Sequence, residues 1–158
     1  MTKRNFVLIV VIAAMTVLFA ASIQQAAESK VPQKPLKFYD VRVQTAEFIG
    51  YYNSVKLTPE QEKIKIEALS SIPAPCCNTY SIATCCCPCN LAKSVWGLSN
   101  FAIVKLHYDT AQLKKTVTDW IRFTHKNGYA GNACFEGRCV SSFAEDGCGG
   151  MQESKIVF

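Results

Sequence analysis

Histidine is scarce in this chain of 158 residues. There are two, and neither His107 nor His125 has a Ser or Cys partner by local motif, so no nucleophile, base and orienting group can be assembled and no catalytic residue is named. Both stand at the ends of periodic stretches, where a histidine can favour the negative end of a helix dipole, and both read as structural or surface residues. No histidine follows the pair Cys86–Cys89; Asn90 is there instead, which excludes covalent haem by the C-x-x-C-H route. No cysteine lies near the end of the apolar run that starts the chain, so the lipid-modified cysteine of a bacterial lipoprotein signal has no candidate. No internal repeat is present. Charge of one sign never accumulates either: Glu60, Glu62, Lys63, Lys65 and Glu67 alternate, which describes a solvated surface and not a nucleic-acid footprint.

What is present begins with Lys3 and Arg4, followed by an uncharged stretch from Phe6 to Ala21. That is the basic and then apolar layout of a secretory signal. Ala20-Ala21-Ser22 offers small residues for a peptidase, while Phe6 to Ile23 is almost long enough to span a bilayer. Residues 1–23 are therefore expected to be a signal peptide or an N-terminal membrane anchor. The rest would be extracytoplasmic, periplasmic or secreted, and would meet a membrane only through that segment. Residues 24–37, with Ser29, Pro32, Pro35, Glu28, Lys30, Lys34 and Lys37, lack an apolar period and read as a linker. Residues 38–158, about 120 in number, suffice for one domain with a modest core. The formal charge of +5 includes Lys3 and Arg4, so the exported part would carry +3.

The fold expected is mainly α. The segment from Phe38 to Tyr52 is open between a short strand (Phe38, Val41, Val43) and a helix (Ala46, Phe48, Ile49, Tyr51, Tyr52). Thr58, Pro59 and Gln61 form a capping-box start for a helix to about Ser70, with Ile64, Ala68 and Leu69 on one face. Ile72-Pro73-Ala74-Pro75 then forbids helix. Leu91, Val95, Leu98, Ala102 and Leu106 recur at helical spacing, and Asp109 with Gln112 caps a further helix. That helix carries Leu113, Val117, Trp120 and Ile121 and stops at Asn127-Gly128. An antiparallel helical hairpin is expected, with Gly97 permitting close approach and Trp96 and Trp120 packing in the core. From Tyr129 onward glycine accumulates and no hydrophobic period survives. Something other than a core must hold that tail.

Nine cysteines fall into three groups. Cys76 and Cys77 are a pair, Cys85, Cys86, Cys87 and Cys89 a dense cluster, and Cys134, Cys139 and Cys148 lie in the glycine-rich tail. In an exported chain disulfides come first, because the compartment permits them and a small domain needs them. Neighbouring cysteines do not readily bridge each other, so each of Cys85 to Cys87 needs a distant partner. The central cluster then looks like a hub that staples the extended lead-in and the tail to the helical hairpin. Each unstrained bridge would contribute about 2–4 kcal/mol, and the odd total would leave one thiol for a partner protein, a metal or a reaction. The competing reading is a thiolate site for a soft ion, copper or zinc, built from Cys76, Cys77, Cys85, Cys86, Cys87 and Cys89, with Cys134, Cys139 and Cys148 as ligands or bridge partners. With Pro88 at the first helical position, Cys87 would be the helix cap and Cys89 would lie in the first turn, where the dipole favours thiolate. Met151 offers a thioether, although a methionine near a terminus is ordinarily exposed. Iron–sulfur ligation lacks its ordered spacings.

Cys86-Cys87-Pro88-Cys89 resembles the C-x-P-C site of thioredoxin-like oxidoreductases, which would imply thiol–disulfide exchange. That fold also needs later strands and a facing cis-proline, and no proline follows Pro88. The stretch Ile72–Cys89, the Trp96-Gly97-Leu98 sequence and Cys148-Gly149-Gly150-Met151 together resemble small exported cysteine-rich bacterial proteins of uncharacterised function. Ile72-Pro73-Ala74-Pro75-Cys76-Cys77, following a charged helix, is similar to the exported family named for a P-C-Y-C-G-C motif, without the intervening tyrosine and glycine. The resemblance implies a bacterial exported protein and no mechanism. The function expected is soft-metal binding by a thiolate cluster, the alternatives being a disulfide-stapled interaction domain and a thiol oxidoreductase.

Overall fold

The computed structural model describes residues 35–127 and 140–158, all within one compact unit, Pro35–Phe158. The expected signal or anchor, nearly all of the linker, Cys134 and Cys139 lie outside the described residues. Four α-helices form the body: α1 (Val41–Ser54), α2 (Pro59–Ser70), α3 (Asn90–Leu106) and α4 (Thr110–Thr124). A two-stranded antiparallel hairpin, β1 (Pro73–Ala74) and β2 (Cys77–Ser81), separates α2 from α3. Single 3-10 turns lie at Ile82–Thr84 and Phe143–Glu145. None of the described helices is long and apolar enough to cross a membrane.

The undecided segment is helix α1. Asp40 caps it by accepting from the Val43 amide at 2.9 Å. Gln44, almost wholly buried, accepts from the Tyr39 amide at 2.8 Å and donates to the Lys37 carbonyl at 3.2 Å. Phe48 and Ile49, one turn further on, are buried as well, so three positions on one side of the helix decide in favour of the 3.6 period over the alternation that Val41 and Val43 suggest. The capping boxes of α2 (Thr58, Gln61) and α4 (Asp109, Gln112) are both formed as expected, each with the side chain and the backbone amide bonded reciprocally. After α2, Ile72-Pro73 turns the chain extended and β1 begins.

Helix α3 is the central element. Leu91, Val95, Leu98 and Ala102 are buried, and Leu106 packs at the edge of the core. A left-handed His107, at φ 51°, ends the helix and lets the Tyr108 amide reach the Ala102 carbonyl. The chain then returns along α4 until Trp120 Nε1 donates to Ser94 Oγ at 3.0 Å, which sets the end of α4 beside the start of α3 and makes the pair antiparallel. Trp120 is fully enclosed, with Phe48 at 5.0 Å edge-on and Phe38 at 5.1 Å. Gly97 does permit a close approach, but of α1 rather than α4. A Cβ at that position would fall 1.7 Å from the Phe48 carbonyl oxygen. Trp96 is half-buried and its indole donates to the Ile82 carbonyl at 2.8 Å.

One expectation is corrected at the end of α4. Helix α4 stops at Thr124, three residues short of Asn127, because His125 leaves the helical region while its amide still bonds to Ile121. Of the two readings open for His125, structural or surface, the structural one holds: it is buried against Phe143, with Thr124 Oγ1 at 2.9 Å from Nδ1. Burial holds its imidazole below the ordinary value, against the opposing charges of Asp146 and Cys89, so it is neutral at neutral pH. His107, by contrast, is exposed.

Candidate functional site

The sulfurs gather at the N-terminus of α3, where four chain segments meet. Pro75 and Cys76 form the two-residue turn between β1 and β2, since Ala74 pairs with Cys77. Cys77 opens β2, and the Ile82 amide bonds back to the Ile72 carbonyl at 2.9 Å. Cys85 follows the 3-10 turn directly, which leaves Cys86, Cys87 and Pro88 to bridge the short distance to α3.

The cap of α3 is Cys89, not Cys87. Its sulfur accepts from the Ala92 amide at 3.5 Å, and its carbonyl accepts from the Lys93 amide at 2.9 Å. Pro88 therefore precedes the cap instead of opening the helix, because the amides of Asn90 and Leu91 are taken by another segment. The Gly150 carbonyl receives Asn90 at 2.9 Å, and the Cys148 carbonyl receives Leu91 at 3.0 Å. Thus all four amides that a helix start leaves without an intrahelical partner are satisfied: Asn90 and Leu91 by the tail, Ala92 by the Cys89 sulfur, and Cys89 itself by the Cys87 carbonyl at 2.8 Å.

Asn90 extends this clasp with its side chain. Nδ2 donates to the Gly149 carbonyl at 2.8 Å and to the Gln152 carbonyl at 3.0 Å. The tail can present these carbonyls because Gly149 and Gly150 take φ values of +71° and +83°, and because a Cβ on Gly149 would strike the Phe143 ring at 2.2 Å. Phe143 is buried in the core and Ile156 and Phe158 pack against it. Lys93 adds an ion pair to Glu153 at 2.9 Å. The tail is therefore held by core contact and main-chain bonding as well as by sulfur, which corrects the expectation that no core reaches it. Asn90 is the residue the sequence reading missed as a structural clasp. Its one signal was an amide side chain directly after the last cysteine of the cluster.

Within this frame the seven described cysteines divide into two sets, and no two of them are joined in a disulfide. The first set is centred on Cys89, whose sulfur has hydrogen-bond contacts with Cys148, Cys76 and Cys85. Cys76, Cys89 and Cys148 are buried and Cys85 is half-buried. Those three thiols, together with the Ala92 amide, hold Cys89 far below the usual thiol value despite its burial. Cys85 responds in the opposite sense. Its contact with Cys76 favours ionisation, but donation to Cys89, burial and the charge on Cys89 prevail and push it up to about 12. Of the two, Cys89 is the one that its surroundings favour as thiolate and Cys85 the one that they favour as thiol. The hub expected of the central cluster is narrower than the sequence suggested: it is Cys89, touching one cysteine from each of the other groups and one from its own.

The second set is Cys77, Cys86 and Cys87. The Cys86 and Cys87 sulfurs are 3.3 Å apart, and Cys77 has a hydrogen-bond contact with Cys86. Burial raises the Cys77 thiol, but the Thr79 and Tyr80 amides, Cys86 and the Thr79 side chain outweigh it and leave it below the usual value. Cys86 and Cys89, the ends of the C-x-x-C pair, therefore belong to different sets. Among the described residues no strand follows α3, so the setting of a thioredoxin-like C-x-P-C site is not reproduced there. Met151 is exposed, and it contributes its carbonyl to Lys93.

The chemistry available is that of thiols meeting at one point. Among the described residues no three His, Cys, Asp or Glu side chains already stand as a coordination sphere; the sulfurs around Cys89 are arranged as mutual hydrogen-bond partners. Comparison with family models, with curated proteins and with solved structures finds no match for this chain.

Proposed function

We propose that this is an exported bacterial protein that binds a soft metal ion, zinc or copper, through Cys76, Cys85, Cys89 and Cys148. The observation that carries the reading is the contact of Cys89 with three other cysteines drawn from three different chain segments. A tetrahedral ion bound to four thiolates at about 2.3 Å sets the sulfurs about 3.8 Å apart, so it needs such a group of four around one point. Passing from hydrogen-bonded thiols to ligands requires small side-chain rotations and loss of the thiol protons, which makes affinity rise with pH. Cys89 supports the first step because it already favours the thiolate. The basic start and apolar run support export, and the similarity to exported cysteine-rich proteins supports the bacterial class.

The test uses the reduced full-length chain, titrated anaerobically with Zn(II) against a chromophoric chelator. One equivalent retained by the wild type and lost from a Cys89→Ser/Cys148→Ser variant is the expected result. Equal zinc retention by both proteins overturns the reading. The contact between Cys89 and Cys148 favours one alternative, a bridge that staples the tail to α3. Protein purified without reductant would then yield a peptide containing both cysteines joined, and no bound metal.

A further inference from the structure

We infer that the groove walled by the end of α1, helix α2 and the middle of α3 binds the carboxylate end of a peptide whose last residue is large and apolar. Two cavities adjoin there, sharing Tyr52, Glu62 and Lys65. One, about 320 Å³, is polar and takes in Lys56 and Asn100. The other, about 400 Å³, is apolar and is lined by Ile66, Leu69, Ala83 and Trp96. An apolar chamber with a few convergent polar groups at one end is the ordinary form of a small-ligand pocket. Neither cavity is lined by a cysteine, so the site stands whether or not the sulfur cluster holds an ion.

The polar half sets the chemistry of the ligand's head. Asn100 is 6 % exposed; its Nδ2 donates to the Val55 carbonyl at 2.9 Å, while its Oδ1 has no hydrogen-bond partner among the described residues. Buried side-chain oxygens are ordinarily paired, so this one calls for an N–H donor. Lys65, with its side chain 15 % exposed, is paired with Glu62 at 3.6 Å. Burial pulls its ammonium below the ordinary value, with Glu62 opposing, and a second anion beside it would offset that cost. The charged lining of this half is Lys56 and Lys65 against Glu62, which favours a ligand of one negative charge. A carboxylate with an amide N–H close by is the end of a peptide chain. The apolar half then receives the terminal side chain. Its Trp96 indole is fixed by the bond to the Ile82 carbonyl and stands 5.6 Å from the Tyr52 ring. Leu69 is fully buried on its inner side, and Ile66 is exposed at its rim.

The experiment titrates N-acetyl-leucyl-leucine into the reduced full chain by calorimetry, as its free acid and separately as its C-terminal amide. Wild type is expected to bind one equivalent of the acid, and the amide about tenfold more weakly. Octanoate, which carries a carboxylate and an apolar chain but no N–H, should also bind about tenfold more weakly than the acid. Lys65→Met should lose about tenfold in affinity for the acid. Ile66→Glu, which adds a negative charge at the rim, should weaken it as well, and because Ile66 is exposed this variant reads the site even where Lys65→Met is destabilised. Equal affinity for acid and amide overturns the inference, as does octanoate binding as tightly as the peptide. Undiminished binding of the acid by either variant overturns it, and so does a wild type that shows no saturation by the acid at millimolar concentration.

Discussion

The helical body and the sulfur-bearing end of the same domain are held together in different ways. In the body, local signals and apolar burial agree: capping boxes start α2 and α4, periodic stripes cover α3 and α4, and Trp120 fills the space between Phe38, Phe48 and Ser94. At the other end, Ile82, Leu91 and Phe143 are buried around Cys89 as well, but burial is not what joins the segments there. They meet instead through main-chain amides and carbonyls, one asparagine, two left-handed glycines and a group of thiols. The body can tolerate modest change because dispersion and burial are summed over many contacts. The sulfur end depends on a few directional bonds, each of which matters singly.

Substitutions placed on either side of this division sharpen it. The largest effect is expected at Gly97→Val, where the new side chain would press on the Phe48 carbonyl and force α1 away from α3. A loss of about 3 kcal/mol in urea unfolding is expected from such overpacking, and a loss below about 1 kcal/mol would show that the contact yields easily. Next comes Asn90→Ala, which removes both side-chain bonds to the tail. It should cost about 2 kcal/mol, with amide exchange accelerating first at Leu91 and Val157 while α4 keeps its protection. Uniform acceleration across α4 and the tail would mean that the two regions form a single cooperative unit.

The third test is a pH dependence that lies between the two regions. His125, between α4 and Phe143, has a folded value held below the ordinary 6.5 chiefly by burial, with Asp146 and Cys89 opposing that shift. A group with a depressed folded value that is charged when protonated binds its proton more readily in the unfolded chain. Stability is therefore intact above about pH 6.5 and falls as the pH drops through that unfolded value, until the folded value is passed. The slope in that window is bounded by about 1.4 kcal/mol per pH unit for one proton. His125→Gln should flatten it, as read from unfolding midpoints between pH 7 and pH 5. A slope unchanged by the substitution would place the acid sensitivity elsewhere.

Much of the body was legible in the residues themselves. Thr58-Pro59 with Gln61, and Asp109 with Gln112, satisfy helix-start amides within four residues, so no distant partner is needed to recognise them. The Leu91 to Leu106 stripe is equally local. Phe38 to Tyr52 was ambiguous because its choice between helix and strand rests on what Gln44, Phe48 and Ile49 bury against α3. The cap of α3 was misplaced by two residues for a related reason: Pro88 suits a first helical position, but the amides of Asn90 and Leu91 were already claimed by carbonyls some sixty residues away in sequence. His125 was open between a structural and a surface role because nothing nearby in the sequence announces Phe143.

For the sulfur site, the sequence by itself determined the ligand chemistry and the crowding, since cysteine type and spacing are properties of the chain. It also determined the mainly helical fold class, because capping and apolar period act over a few residues. Only the tertiary structure decided which sulfurs meet. Cys76, Cys85, Cys89 and Cys148 are joined by a hairpin turn, a 3-10 turn, a helix start and a docked tail, and Cys86 meets Cys77 and Cys87. Sulfur contacts are short-ranged and indifferent to separation along the chain, so their partition follows from how the backbone packs and not from how the residues are spaced.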